Sequence, residues 1–286
     1  MLLCAACVFA FPFSAGAAER IVMPHVMPDD PRHTYVISLL RLALDKTVPE
    51  YGDYDLVHHP IPTEQSRSLE LVAEGGGIDV VWTMTSIERE RDLLPVRIPL
   101  QKGLLGYRIF LIRKGRADVF RRVRSLDELR RFVAGQGHDW PDTRILRHNG
   151  LRVRTCPRYS LCFGMLAERR FDFFPRGVNE PWGEMREHPG MPFCVEKTIL
   201  LRYPAPLYFF VNRGNPGLAK RIDTGLRMAL ADGSFDELFY NHPQMRQVFQ
   251  KVGFKERRIF DLENPFLPPE TPLDDASMWI DLDKLP

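Results

Sequence analysis

Two apolar runs, Tyr107–Arg113 (YRIFLIR) and Leu207–Val211 (LYFFV), constrain this chain more than any other feature. Both are dense in β-branched and aromatic residues and read as strands. Between them lies what reads as a complete second α/β unit. Its parts are a helix from Ser125, a turn at Gly135-Gln136-Gly137, a helix from about Asp142, a turn at Asn149-Gly150, a helix carrying Leu161, Met165 and Leu166, and a strand at Phe171–Phe174. Before the first run, strand-like and helix-like stretches also alternate. A strand at Arg20–Met23 precedes a helix whose cap is Asp30, with Pro31 in its first turn and Val36, Leu39, Leu40 and Ala43 at helical spacing. A strand near Asp55–His59 leads to a helix over Glu64–Glu74 that Gly75-Gly76-Gly77 ends, then to a short apolar strand at Ile78–Trp82. After the second run, Asn215-Pro216 opens a helix with Leu218, Ile222, Leu226 and Ala229 on one face. An α/β chain with a middle block inserted between two strands predicts two lobes with a cleft between them, the usual place for a small ligand.

Composition excludes several alternatives. With 286 residues, 44% hydrophobic and 27% charged, the chain is neither disordered nor a coiled coil. A net charge of +2, from 39 basic and 37 acidic side chains, lacks the excess expected of a nucleic-acid binder. The runs Arg121-Arg122-Val123-Arg124 and Arg130-Arg131 read as solvated faces. Leu2–Phe13 is an apolar run followed by Ser14-Ala15-Gly16-Ala17-Ala18, the pattern of a cleavable export signal over residues 1–18, although no Lys or Arg precedes it. Export implies a periplasmic, oxidising compartment. There, a Cys156–Cys162 disulfide and three buried thiols (with Cys194) both fit the spacing.

Gly77-Ile78-Asp79-Val80, then Thr85-Ser86-Ile87-Glu88-Arg89-Glu90, then the apolar stretch to Pro99, resembles the first-lobe signature of bacterial extracellular solute-binding proteins of family 3. Ser125-Leu126-Asp127-Glu128-Leu129 is similar to that family's entry into lobe two, Arg170-Phe171-Asp172 to a lobe-two strand, and Tyr208–Gly233 to the return into lobe one. The resemblance covers about residues 19–260. It implies an α/β, two-lobed periplasmic binding protein type II fold, each lobe a mixed sheet flanked by helices, the lobes joined by two hinge strands, Tyr107–Arg113 and Leu207–Val211. Lobe one would be 19–112 plus 207–260, lobe two 113–206, and 261–286 a Pro-rich tail over the surface. It further implies a monomer that captures a small polar solute, without a cofactor or metal, for an ABC importer or a membrane sensor.

In that family an Arg just after a Ser/Thr stretch pairs with the ligand carboxylate. Carried over, it is Arg89, with Thr83, Thr85 and Ser86 as hydroxyl or backbone donors. A guanidinium matches a carboxylate bidentately. Thr85 and Glu88 also read as a capping box, a device that Ser125–Glu128 and Ser234–Glu237 repeat. Lobe two departs from the pattern: where amino-acid binders carry an Asp for the ammonium, this chain has Gly177 beside Arg176. Glu180 replaces the missing carboxylate, or Arg176 meets a second anionic group. Gly137, Trp140, Asp142 and Thr143 fall where lobe two meets the ligand, and Trp140 and Trp182 offer flat faces.

Phosphate-loop, zinc-protease and serine-hydrolase motifs are absent, and the histidines lack metal-ligand spacing. Two rival functions remain. One is a dehydratase-like enzyme on a cyclic carboxylate, with Glu180 or Glu184 as the acid beside Arg89 and Arg176. The other is an orphan sensory subunit.

Overall fold

The computed structural model describes residues 17–26 and 33–282. The expected export signal, all but its last two residues, and the Asp30-Pro31 helix start lie outside the described residues. The helix Thr34–Tyr51 buries Val36, Leu39, Leu40 and Ala43, which confirms the stripe expected from their spacing.

The strands in chain order are β1 (Glu19–Met23), β2 (Tyr54–His58), β3 (Val80–Met84), β4 (Leu94–Val96), β5 (Tyr107–Arg113), β6 (Val133–Gly137), β7 (Arg152–Cys156), β8 (Phe173–Gly177), β9 (Phe193–Val195), β10 (Ile199–Arg202), β11 (Leu207–Val211) and β12 (Arg258–Asp261). In the first lobe β1 pairs in parallel with β2, and β11 lies antiparallel between β3 and β4. Asp79 joins the two groups: its N–H donates to the Val22 carbonyl and its carboxylate accepts from the Val22 N–H. The second lobe is a mixed sheet in the order β12-β10-β5-β8-β6-β7, with β9 added against β5. The expected boundaries count Tyr107–Ile112 and residues 258–260 with lobe one. Both β5 and β12 pair within this second sheet.

Three local readings change. Gly135-Gln136-Gly137 is not a turn but the end of β6. Its glycines make room for rings: a Cβ on Gly135 would stand 2.3 Å from Phe171, and one on Gly137 2.5 Å from Trp140. Helix Ser234–Asn241 is capped by Gly233, so Ser234 is its first residue. Residues after Asp261 do more than cover a surface. Asn149 holds both backbone groups of Glu263, and Met278 and Ile280 are buried in the first lobe's core. Cys156 and Cys162 form a disulfide, and Cys194 is a free thiol. No helix among the described residues is long and apolar enough to cross a membrane.

Where the chain passes between lobes, its two passages touch. A Cβ on Gly106, just before β5, would meet the Tyr203 carbonyl oxygen, just after β10, at 1.9 Å.

Candidate functional site

A cavity of about 450 Å³ lies between the lobes. It gathers the carboxyl ends of β3, β6, β7 and β8, the usual ligand position in open α/β sheets.

The first-lobe wall is built from β3 and the helix Ile87–Asp92. Ser86, not Thr85, caps that helix, its hydroxyl accepting from the Arg89 N–H. The cap ends the extended run one residue later than expected. Thr85 donates instead to the Glu90 carboxylate at 2.6 Å, pointing away from the cavity. One helical turn into the helix, Arg89 folds back over the end of β3. Its Nη1 donates to Thr83 Oγ1 at 2.5 Å and to the Met84 carbonyl at 2.8 Å, and its Nη2 donates to Gln65 Oε1 at 3.1 Å. All three acceptors are uncharged. Among the described residues no carboxylate pairs with Arg89, although the fields of Asp139, Asp142 and Glu88 reach it. Burial pushes its pKa down to about 10.

The second-lobe wall is rich in charge, but most of that charge is closed on itself. Arg108, from β5, meets Asp142 at 2.6 Å and donates to the Tyr203 hydroxyl at 3.0 Å, and Tyr203 donates to Asp142. Arg176, at the end of β8, contacts Glu184 at 2.6 Å and Glu180 at 3.0 Å, with its guanidinium 4.8 Å from the Trp140 ring centre. Burial lowers the Arg176 pKa, but the two carboxylates outweigh it and raise the value. Burial raises that of Glu184, which is fully enclosed, against the pull of Arg176. Glu180 also accepts from the Gly177 N–H at 2.6 Å. Asp139 is exposed, and among the described residues no arginine pairs with it; the His138 ring lies 3.8 Å away.

Of the residues expected at the site, Thr83, Arg89, Gly137, Trp140, Asp142, Arg176 and Glu180 line this one cavity. Thr85, Ser86 and Thr143 do not. Thr143 donates to the Gly137 carbonyl at 2.7 Å and so braces the loop from behind. Trp182 is packed against the first core under Lys251 rather than facing the cavity, and Glu184 lies behind Arg176. The expectation that Arg176 is open to a second anionic group fails, because Glu180 and Glu184 occupy it. Sequence reasoning missed Gln65, Gln101, Arg108, Asp139, Tyr159 and Asn179, all on the wall. Only Arg108 had a visible signal, a charge inside the apolar run of β5.

Lobes of this topology closing on an interlobe cavity define the two-lobed fold of periplasmic amino-acid-binding proteins. No protein-family model matches the chain, and no curated protein matches its sequence. Solved structures do. An ancestral arginine-binding protein bound to arginine is 17% identical, with 79% of this chain and 97% of that one covered at a TM-score of 0.56. A periplasmic binding protein of an arginine transport system from Legionella pneumophila is 12% identical, covering 79% and 99% at 0.60. An ancestral amino-acid-binding protein described as a precursor of cyclohexadienyl dehydratase is 16% identical, covering 78% and 93% at 0.54.

Proposed function

We propose that this protein is an exported solute-binding protein that closes on a small zwitterion of amino-acid type and hands it to an ABC importer or a membrane sensor. The observation that carries this reading is the state of Arg89. A half-buried guanidinium hydrogen-bonded only to neutral acceptors is poorly compensated, and an anionic ligand supplies the missing charge. A carboxylate fits the guanidinium fork, and Asp139 on the facing wall suits an ammonium. The ligand then touches both lobes, so binding favours the closed form. The bending region is the pair of passages at Gly106 and Tyr203–Pro206. The Cys156–Cys162 disulfide suits an oxidising compartment.

Turnover is disfavoured by the same geometry. Glu180 is tied to Arg176 and the Gly177 N–H, and Glu184 does not line the cavity, so neither stands ready to protonate a substrate. Isothermal titration of the purified protein with L-amino acids, wild type against Arg89→Ala, tests the reading. Loss of binding by about a hundredfold is expected for the loss of a desolvated ion pair. Unchanged affinity would remove Arg89 from the site.

A further inference from the structure

Two carboxamide oxygens on the cavity wall are left without hydrogen bonds inside the protein. Gln101 is 3% exposed, and its Oε1 is buried with no partner. On the other lobe Asn179 leaves its Oδ1 buried and unpartnered as well. Both line the same cavity. Leu105, four residues beyond Gln101, packs toward Gly177 just ahead of Asn179 and lines the cavity with both.

Several carboxamides elsewhere in the described residues are used. Asn212 donates to the Val72 and Ala73 carbonyls, Asn149 holds Glu263, and Gln65 accepts from Arg89. Buried polar groups in folded proteins are nearly always satisfied, because desolvating one without a replacement partner is unfavourable. Other buried side-chain atoms also lack a partner, Gln136 Oε1 and Glu184 Oε2 among them, but of these groups only Gln101 and Asn179 line the cavity, where a partner from outside the chain can reach them.

Gln101 is also held in a position the backbone would not choose unaided. Lys102 follows it in the left-handed region (φ +46°), and Gly103 does the same at +79°. The Pro-rich tail clamps this turn. Lys102 Nζ donates to the Ser277 carbonyl, the Ile280 N–H donates to the Lys102 carbonyl, and a Cβ on Gly103 would stand 2.4 Å from the Trp279 ring. A strained turn that the rest of the fold over-determines is a frequent companion of a functional site.

Resting on the zwitterion reading above, we infer that Gln101 and Asn179 form a neutral hydrogen-bonding subsite. It selects a ligand whose side group is uncharged and donates to these two oxygens, as a carboxamide does. A ligand carboxamide carries two N–H donors, one for each oxygen. A second carboxylate would meet two acceptors and no donor, and an ammonium would find only neutral dipoles there in place of its water, the Glu180 charge being held by Arg176. An apolar side group would leave both amides unsatisfied, the situation in which a polar site discriminates most strongly.

Calorimetric titration of the full-length protein with L-glutamine, L-glutamate, L-lysine and L-norvaline tests this. Glutamine is expected to bind at least about tenfold more tightly than each of the others. In Gln101→Met and in Asn179→Leu the glutamine preference over norvaline should shrink about tenfold. Gln101→Glu, a near-isosteric change that guards against a packing defect, should move the preference toward lysine. Norvaline binding as well as glutamine, or either neutral variant keeping the wild-type ratio, would overturn the subsite alone. Binding of none of the four would overturn the zwitterion reading and the subsite with it.

Discussion

Arg89 Nη1 lies 2.5 Å from Thr83 Oγ1, a neutral acceptor, while the carboxylates of Asp139, Asp142 and Glu88 act on the guanidinium without pairing with it. The arrangement trades stability for affinity. Arg89→Met should cost about a hundredfold or more in ligand affinity and leave the ligand-free melting temperature equal or higher, since an incompletely compensated, half-buried cation is removed. Calorimetry and thermal unfolding of the same samples check both halves.

The same group sets a pH limit. Burial holds the Arg89 pKa down at about 10, below its unfolded value, so the cation is fully formed below that pH. Affinity for a carboxylate ligand should be flat from pH 6 to 8 and fall above about 10 as the guanidinium loses its proton. Titrations across that range, with circular dichroism to confirm folding, show whether it does.

Glu184 gives the opposite kind of signature. Its folded pKa is raised, mainly by burial, so the folded state holds the proton more tightly than the unfolded one. The stability this contributes is complete below the unfolded carboxyl value and is lost as pH rises toward the folded one. Glu184→Gln keeps the shape and hydrogen bonds without the titration. The variant should match wild type near pH 4 and exceed it near pH 8, by about 1–2 kcal/mol in urea unfolding.

Contact between Gly106 and the Tyr203 carbonyl leaves no space for a methyl group. Gly106→Ala must separate the two passages between lobes and should destabilise by about 2 kcal/mol or more. Small-angle scattering of the ligand-free variant should show a larger radius than wild type.

The disulfide closes a short loop whose Pro157, Arg158 and Tyr159 line the cavity. Cys156→Ser/Cys162→Ser should lower stability by about 2 kcal/mol, the chain-entropy value for so short a loop. Ligand affinity should fall with it, because Tyr159, which donates to Glu184 at 2.8 Å, belongs to that loop. Denaturant unfolding and titration of the double variant measure the two effects.

Much of the frame was legible in the residues. β5 and β11 announced themselves by composition, whereas Arg89 was singled out only by the family resemblance of the stretch from Thr83 to Glu90. Errors arose where two physical signals share one sequence. Adjacent hydroxyls at Thr85 and Ser86 both suit a cap, and only the backbone decides between them. Glycines at 135 and 137 read as a turn, but they serve a strand that must pass close to aromatic rings. Tail residues Met278 and Ile280 carry no periodicity, because what buries them is a turn some 175 positions earlier in the chain, bonded through Ser277. Gln101 and Asn179 were invisible for a related reason. A polar residue looks the same in sequence whether it faces solvent or an enclosed cavity, so their isolation is a property of the folded chain alone.

The walls of the cavity are rooted largely in different apolar interiors: β3 places Val80 and Trp82 in one and Val81 in a second, β6, β7 and β8 reach two others, and Met84 alone of β3 joins one of those. Natural variation can therefore rework the loops that bear Asp139, Tyr159 and Asn179 while leaving the opposite anchorage untouched. A scaffold divided in this way can retune its taste for cargo piecemeal, keeping one grip constant as the other explores.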